Sequence, residues 1–172
     1  MKQMKSLLKV GAIVLFAALT VSSCKKNEDP YAGYTQERED GLIKDWVTAM
    51  VEKNLNVDTT ANGILYIIDT AGTGDLVKTG DTLTVKYTGY FMDGTVFDAS
   101  AYRGDGTMTY VHKDSNPDNR MITGWEEGIE KLSKGSIGVF CIPSAKAYGP
   151  YGYSSIPPYS PLIFVIEVLD IK

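Results

Sequence analysis

The sequence predicts an α+β fold: an antiparallel sheet of about five strands around one short helix, with an extra helix near the N-terminus. Three observations support this prediction. Residues 36–54 place apolar side chains at helical spacing. From Gly63 onward the pattern changes to short apolar or alternating segments rich in β-branched residues. A single short helical stretch follows Thr123. Helices and strands segregated along the chain are typical of this class.

The N-terminus has the anatomy of a secretory signal peptide. Lys2, Lys5 and Lys9 precede an apolar run at 10–21, which is too short to span a bilayer comfortably. The small residues before Cys24 resemble a bacterial lipoprotein cleavage box. That resemblance implies export, lipidation of Cys24 and anchoring to a membrane of the bacterial cell envelope. The alternative is a plain secretory signal in which Cys24 has no role.

The predicted organisation has four parts. They are a signal peptide at 1–23, a lipidated tether at 24–35, an N-terminal helix at 36–56 and a folded domain at 60–172.

Charge, cysteine and histidine content exclude several classes of function. The formal net charge is −4, and loss of residues 1–23 removes three lysines and no acid, which moves it to −7. An acidic chain without a basic run argues against a nucleic-acid partner. Cys141 lies in an apolar alternation and is predicted to be a buried small hydrophobe. His112 is the only histidine, so neither a metal site nor a His-based nucleophilic triad is expected. We predict that His112 is a solvated loop residue and that no cofactor is used.

The predicted N-terminal helix carries an apolar stripe that must be buried somewhere. Two interpretations stay open: the stripe packs on its own domain, or it forms a homodimer contact or holds a client protein. The stripe consists of Ile43, Trp46, Val47, Met50 and Val51.

The strands are predicted from alternation and β-branched content, and the strongest turn signal is Asp93-Gly94, which indicates a hairpin. In the strand before this turn, Leu83, Val85 and Tyr87 fall on one side. A long loop at 143–161, rich in proline and tyrosine, is of the kind that usually carries function. The predicted strands are 64–68, 82–91, 96–97, 108–110, 137–142 and 162–169.

The short helix is predicted to run from Gly124 to Leu132, because Thr123 and Glu126 have the spacing of a capping box. Trp125 then lies in its first turn. An indole in this position is either ordinary core or the flat floor of an apolar cavity.

Four segments together resemble the FKBP-type peptidyl-prolyl cis-trans isomerases, over about residues 63–172. Their order and spacing carry the resemblance more than any one segment does. The segments are VKYTG at 85–89, GTVFDAS at 94–100, ITGWEEG at 122–128, and AYG at 147–149 followed by IPP at 156–158 and LIF at 162–164.

The resemblance implies a half-open antiparallel sheet wrapped around the short helix, with a proline-binding pocket between them. It implies that Trp125 is the floor of this pocket and that Asp98 lies at its rim, where Arg103 pairs with it. Tyr148 and Ile156 would lie on the long loop. The implied walls are Tyr87, Phe97, Ile122 and Phe164, and Met108 and Tyr110 occupy positions where the family often has two phenylalanines.

The implied activity is isomerisation of X-Pro bonds during folding of exported proteins, with proline-containing polypeptides as partners. An aromatic pocket favours the twisted prolyl amide, which is less polar than the planar one. Tyr87, Phe97, Asp98 and Tyr148 are the candidate catalytic residues, and Asp98 is expected to order the pocket or polarise the amide. The alternatives are a membrane-anchored binding module or holdase chaperone with incidental turnover, and a structural lipoprotein.

Overall fold

The computed structural model describes residues 30–172, so the predicted signal peptide and Cys24 lie outside the described residues. The described part contains two α-helices and nine strands. They are α1 (Gln36–Glu52), β1 (Asp58–Thr59), β2 (Leu65–Thr70), β3 (Thr73–Leu76), β4 (Thr82–Tyr90), β5 (Val96–Ala99), β6 (Met108–Val111), α2 (Thr123–Ile129), β7 (Ser133–Lys134), β8 (Ile137–Ile142) and β9 (Leu162–Ile171).

The main sheet is antiparallel, as predicted. Its strands follow the order β1-β2-β8-β9-β4, and the free edge of β4 pairs with β6 along its first half and with β5 along its second half. It therefore has seven strands rather than about five. The prediction missed the two-residue β1, and two short strands share one edge of β4. Strands β3 and β7 form a separate two-stranded sheet.

One face of the main sheet packs against α2. The alternation predicted for β4 is confirmed, since Leu83, Val85 and Tyr87 are all buried in the cluster that also contains Ile129 of α2. The Asp93-Gly94 turn is confirmed too: Tyr90 pairs with Val96 across it. This face of the sheet and α2 form the larger core of the domain.

Helix α1 covers the opposite face. Its Trp46 and Met50 pack against Val139, Cys141 and Ile163 of the sheet. The stripe thus packs on its own domain, which is one of the two interpretations left open. Cys141 is buried, as predicted, and burial raises the pKa of its thiol, with a further contribution from the charge of Glu39. Because β8 alternates its side chains, it contributes to both cores.

The ends of α1 have local causes. The Thr35 hydroxyl accepts a hydrogen bond from the Arg38 N–H at 3.2 Å and caps the first turn. The helix ends at Glu52 rather than at 56, and Asn54 adopts a left-handed conformation with φ 56°. Val51 is 58% exposed, so its placement in the buried stripe was wrong, and Ala49 takes the buried position instead. Within residues 30–172, neither helix is long and apolar enough to cross a bilayer.

Helix α2 starts one residue earlier than predicted and lacks the predicted capping box. It begins at Thr123, and its N-cap residue, Ile122, makes no side-chain capping hydrogen bond. The Glu126 carboxylate instead accepts hydrogen bonds from the N–H groups of Met121 and Lys113, both at 3.1 Å. The helix ends at Ile129 rather than at Leu132, because the following turn has i to i−3 hydrogen bonds.

We predict that Gly124→Ala destabilises the protein by about 1–3 kcal/mol, which is typical of overpacking a filled core. A Cβ at Gly124 would overlap Cγ2 of Ile142 and lie 3.2 Å from the Lys146 carbonyl oxygen. Gly41→Ala is the matched control. Gly41 is exposed in α1 with nothing within 4 Å, and alanine there is expected to stabilise by up to about 1 kcal/mol. Urea unfolding of both variants checks the prediction, and equal free energies of unfolding would contradict it.

Candidate active site

Trp125 lies at the centre of a ring cluster on the α2 face of the sheet. Its side chain is 3% exposed. The rings of Tyr87 and Phe164 each meet the indole edge-on, with centroids 5.2 Å from it. The indole N–H donates a 2.7 Å hydrogen bond to the Tyr110 hydroxyl. Edge-to-face contacts and a satisfied N–H hold the indole in one orientation.

Two further rings meet across the central strand β4. Gly89 of β4 pairs with Asp98 on one side and with Phe164 on the other. Phe97 and Phe164 are 5.5 Å apart in an edge-to-face arrangement. A Cβ at Gly89 would lie 2.7 Å from the Phe97 ring and 3.0 Å from the Phe164 ring. Gly89 is therefore required for the two rings to meet. Gly89 belongs to the VKYTG segment at 85–89, and the sequence alone indicated no role for it.

Asp98 lies at the edge of the cluster and joins two side chains. Its Oδ2 accepts a 2.6 Å hydrogen bond from the Tyr87 hydroxyl and a 3.3 Å hydrogen bond from the Arg103 guanidinium. The pairing of Arg103 with Asp98 is as expected from the sequence, although the Arg103 side chain is 53% exposed. Burial, the hydrogen bond to Asp98 and the charge of Asp98 raise the pKa of Tyr87. The Tyr87 hydroxyl therefore remains a proton donor.

The long loop between β8 and β9 contributes Tyr148 and Ile156. Ile156 is buried in the same cluster as Trp125. The Tyr148 ring is half-buried and stacks on Tyr153, with centroids 5.5 Å apart and planes inclined by 13°. Backbone hydrogen bonds between Tyr153 and Ile156 close the loop tip. Burial and the negative charge of Asp98 raise the pKa of the Tyr148 hydroxyl.

The structure connects the eleven predicted site residues to the core cluster that contains Trp125. Four are buried: Tyr87, Trp125, Ile156 and Phe164. Five others are partly buried and pack against the same cluster: Phe97, Met108, Tyr110, Ile122 and Tyr148. Asp98 and Arg103 attach to the cluster through Tyr87. Their roles in binding and catalysis stay predictions.

His112 contradicts its prediction as a solvated loop residue. It is 0% exposed, with Nδ1 2.5 Å from Glu126 Oε2 and Nε2 3.1 Å from Glu130 Oε1. Lys113 Nζ lies 2.7 Å from the same Glu130 oxygen. Burial alone lowers the pKa of His112, but the hydrogen bonds and charges of the two glutamates outweigh burial and raise it. The cluster joins the end of β6, which carries Tyr110, to the helix that carries Trp125.

This cluster predicts a pH dependence of stability. The folded-state pKa of His112 is raised above its usual value of about 6.5. The contribution of His112 to the free energy of unfolding is therefore fully present below about pH 6.5, and it is lost as the pH rises through the raised pKa. The pKa values of Glu126 and Glu130 are lowered, because hydrogen bonds outweigh burial. Their contribution is present above about pH 4.3 and is lost as the pH falls through the lowered values.

Urea unfolding between pH 5 and pH 9 checks this prediction. The wild-type free energy of unfolding is expected to fall on the alkaline side, and His112→Leu is expected to remove that part of the fall. If the free energies of unfolding of the wild type and His112→Leu differed by the same amount at every pH, the prediction would be contradicted.

The chain also matches a protein-family model. The model described as FKBP-type peptidyl-prolyl cis-trans isomerase matches residues 74–169, more than half of the chain. The chain belongs to this family. The resemblance inferred from the sequence is thereby confirmed, as is the α+β fold class.

Individual FKBP-type proteins are similar over most of the chain. A probable FKBP-type isomerase of Haemophilus influenzae is 39% identical over 138 residues, which are 80% of this chain and 53% of that protein. FkpA of Escherichia coli is 37% identical over 120 residues, which are 70% of this chain and 42% of that protein. The chain thus spans about half the length of the curated relatives it matches.

Solved FKBP-type structures have the same fold. A peptidyl-prolyl cis-trans isomerase of Pseudomonas syringae superposes with a TM-score of 0.64 at 25% identity, covering 86% of this chain and 99% of that chain. The crystal structure of FkpA from Escherichia coli gives a TM-score of 0.61 at 26% identity, covering 99% of this chain and 90% of that chain.

Proposed function

We propose that the protein accelerates cis/trans isomerisation of X-Pro bonds in polypeptides. The observation that carries the proposal is the ring cluster of Trp125, Tyr87, Phe164 and Phe97, with Asp98 hydrogen-bonded at its edge. In this proposal the buried rings are the floor of a proline pocket, and the partly exposed Phe97 ring contacts the ligand. Membership of the FKBP-type family supports the same activity.

The physical basis is differential binding. Rotation about the prolyl amide bond faces a barrier of roughly 18–20 kcal/mol because resonance is lost. The twisted amide has a smaller dipole than the planar one, so an aromatic surround favours the twisted form. About 4 kcal/mol of such preference corresponds to a rate enhancement of roughly 10³-fold. This mechanism requires no nucleophile.

In this proposal, two groups hold the substrate carbonyl. They are the Tyr148 hydroxyl and the Ile122 backbone N–H. Both belong to residues that pack against the core cluster that contains Trp125. In this proposal they orient the amide, and Asp98 fixes the Tyr87 ring through the 2.6 Å hydrogen bond.

The decisive measurement is the rate of X-Pro exchange in a short proline peptide, with the full-length protein in detergent. The wild type is expected to accelerate exchange, and Asp98→Val is expected to do so much less. An unaccelerated rate with the folded wild type would overturn the proposal. If Asp98→Val then protected client proteins from aggregation as well as the wild type does, a holdase would be favoured. The apolar stripe of α1 packs on its own domain and gives that alternative no added support.

We also propose that the protein is exported and anchored by lipid on Cys24, so that it acts on exported polypeptides. The support is the sequence of residues 1–24 described above. Mass spectrometry of the N-terminal peptide from native membranes tests this proposal. A lipid-modified Cys24 is expected, and Cys24→Ala is expected to release the protein from the membrane. An unmodified Cys24 in the mature protein would refute it.

A further inference from the structure

A buried carboxyl group joins α1 to the loop of the candidate site. Glu39, in the first turns of α1, is 0% exposed. One oxygen accepts a hydrogen bond from the Ser144 backbone N–H, and the other accepts a 2.6 Å hydrogen bond from the Ser144 hydroxyl. Gln36 donates a further hydrogen bond at 3.2 Å. A buried carboxyl group is costly unless it is hydrogen-bonded, so these contacts fix Glu39 and Ser144 relative to each other.

Ser144 is the root of the long loop. It lies two residues after the end of β8 and starts the 3-10 turn Ser144–Lys146, four residues before Tyr148. Its carbonyl accepts a 2.8 Å hydrogen bond from the Ala147 N–H. On the other side of this turn, Lys146 Nζ donates a 3.1 Å hydrogen bond to Glu127 of α2. The turn is therefore held between the two helices.

Helix α1 is a firm support for such a contact. Trp46 and Met50 pack it onto the outer face of the sheet. The helix precedes residues 74–169, which match the family model. Glu39 thus lies outside the range that matches the family model. It hydrogen-bonds to the base of the loop that carries the candidate site residues Tyr148 and Ile156.

We infer that Glu39 is a positioning residue for the isomerase site, acting through Ser144 to set the place of Tyr148 relative to the rings. The inference rests on the proposed function and deepens it. Tyr148 holds the substrate carbonyl in that proposal, and a displacement of about 1 Å in such a group can cost as much as roughly 100-fold in rate. The N-terminal helix is then part of the site's support.

The test combines kinetics with a double-mutant cycle. Glu39→Met removes both acceptors at nearly constant length and is expected to lower kcat about tenfold with a smaller change in KM. Glu39→Gln keeps an acceptor for the Ser144 N–H and can donate to its hydroxyl, so it is expected to retain most activity. Ser144→Ala removes only the hydroxyl donor, and its kcat is expected to lie between those of Glu39→Met and Glu39→Gln. Asp40→Asn, at the exposed neighbour, is the control without effect.

The cycle uses Tyr148→Phe. If Glu39 acts through Tyr148, Glu39→Met is expected to have little further effect on kcat in the Tyr148→Phe background, while lowering stability equally in both. Additive effects on kcat, or unchanged kcat in Glu39→Met, would overturn the inference. Amide hydrogen exchange at residues 145–149, expected to be faster in Glu39→Met and Ser144→Ala, tests the inference without using activity. A wild type that lacks activity would refute the proposed function alone, and unchanged exchange would refute the inference.

Discussion

Replacing Phe97 by alanine is expected to lower kcat/KM for a proline peptide by about 30- to 150-fold. Burial of a phenylalanine side chain contributes about 2–3 kcal/mol, and each 1.36 kcal/mol corresponds to about a factor of ten. Phe97 is partly exposed, and the centroid of its ring lies 5.1 Å from that of Phe91 and 5.5 Å from that of Phe164. Without the ring, water reaches the bound prolyl amide and the preference for the twisted form decreases. A peptide exchange assay on the folded variant gives the value.

Val96→Ala is the matched control for this prediction. Val96 precedes Phe97 in β5, so its side chain points to the opposite face of the strand, and it is 38% exposed. We expect its activity to stay within about twofold of wild type, since isolated surface substitutions usually change energies by less than about 0.5 kcal/mol. If Phe97→Ala were folded and as active as Val96→Ala, the aromatic pocket would not be the source of catalysis.

Local patterns were sufficient to predict most of the sheet and the ring cluster. Alternation placed Tyr87 on the buried face of β4, and the Asp93-Gly94 turn set the register of the strand that carries Phe97. Both signals lie within a few residues of what they predict, because side chains in a strand repeat every two residues. The resemblance to a family then assigned functions to rings that periodicity alone would have left as core.

Polar contacts between distant segments were not predictable in this way. His112 pairs with Glu126 and Glu130, and Glu39 pairs with Ser144 across 105 positions. A charged residue in a sequence indicates exposure unless its partner is known, and no periodicity shows which loop meets which helix. The same limit explains the capping box: Glu126 had the right spacing, but its carboxylate contacts Lys113 and Met121 instead.

Glu126→Ala is expected to lower the free energy of unfolding by about 3–5 kcal/mol at pH 6, the range for breaking a buried ion pair by removing one partner. His112 would lose the oxygen 2.5 Å from its Nδ1, while remaining buried. The backbone N–H groups of Lys113 and Met121 would also lose their acceptors. Such a loss is a large fraction of the roughly 5–15 kcal/mol by which domains are stable. Urea unfolding gives the measurement.

Glu130→Ala provides the comparison for Glu126→Ala, because Glu130 contacts the other nitrogen of the same histidine but its side chain is 35% exposed. Water replaces a lost partner there, so we expect a loss of about 1 kcal/mol or less. Glu126→Gln keeps one oxygen as an acceptor and is expected to fall between the two. Equal losses for Glu126→Ala and Glu130→Ala would show that burial does not set the strength of this cluster. Trp125 precedes Glu126 in α2, and Tyr110 lies two residues before His112. A large loss of free energy of unfolding in Glu126→Ala would therefore also lower the temperature at which the ring cluster unfolds.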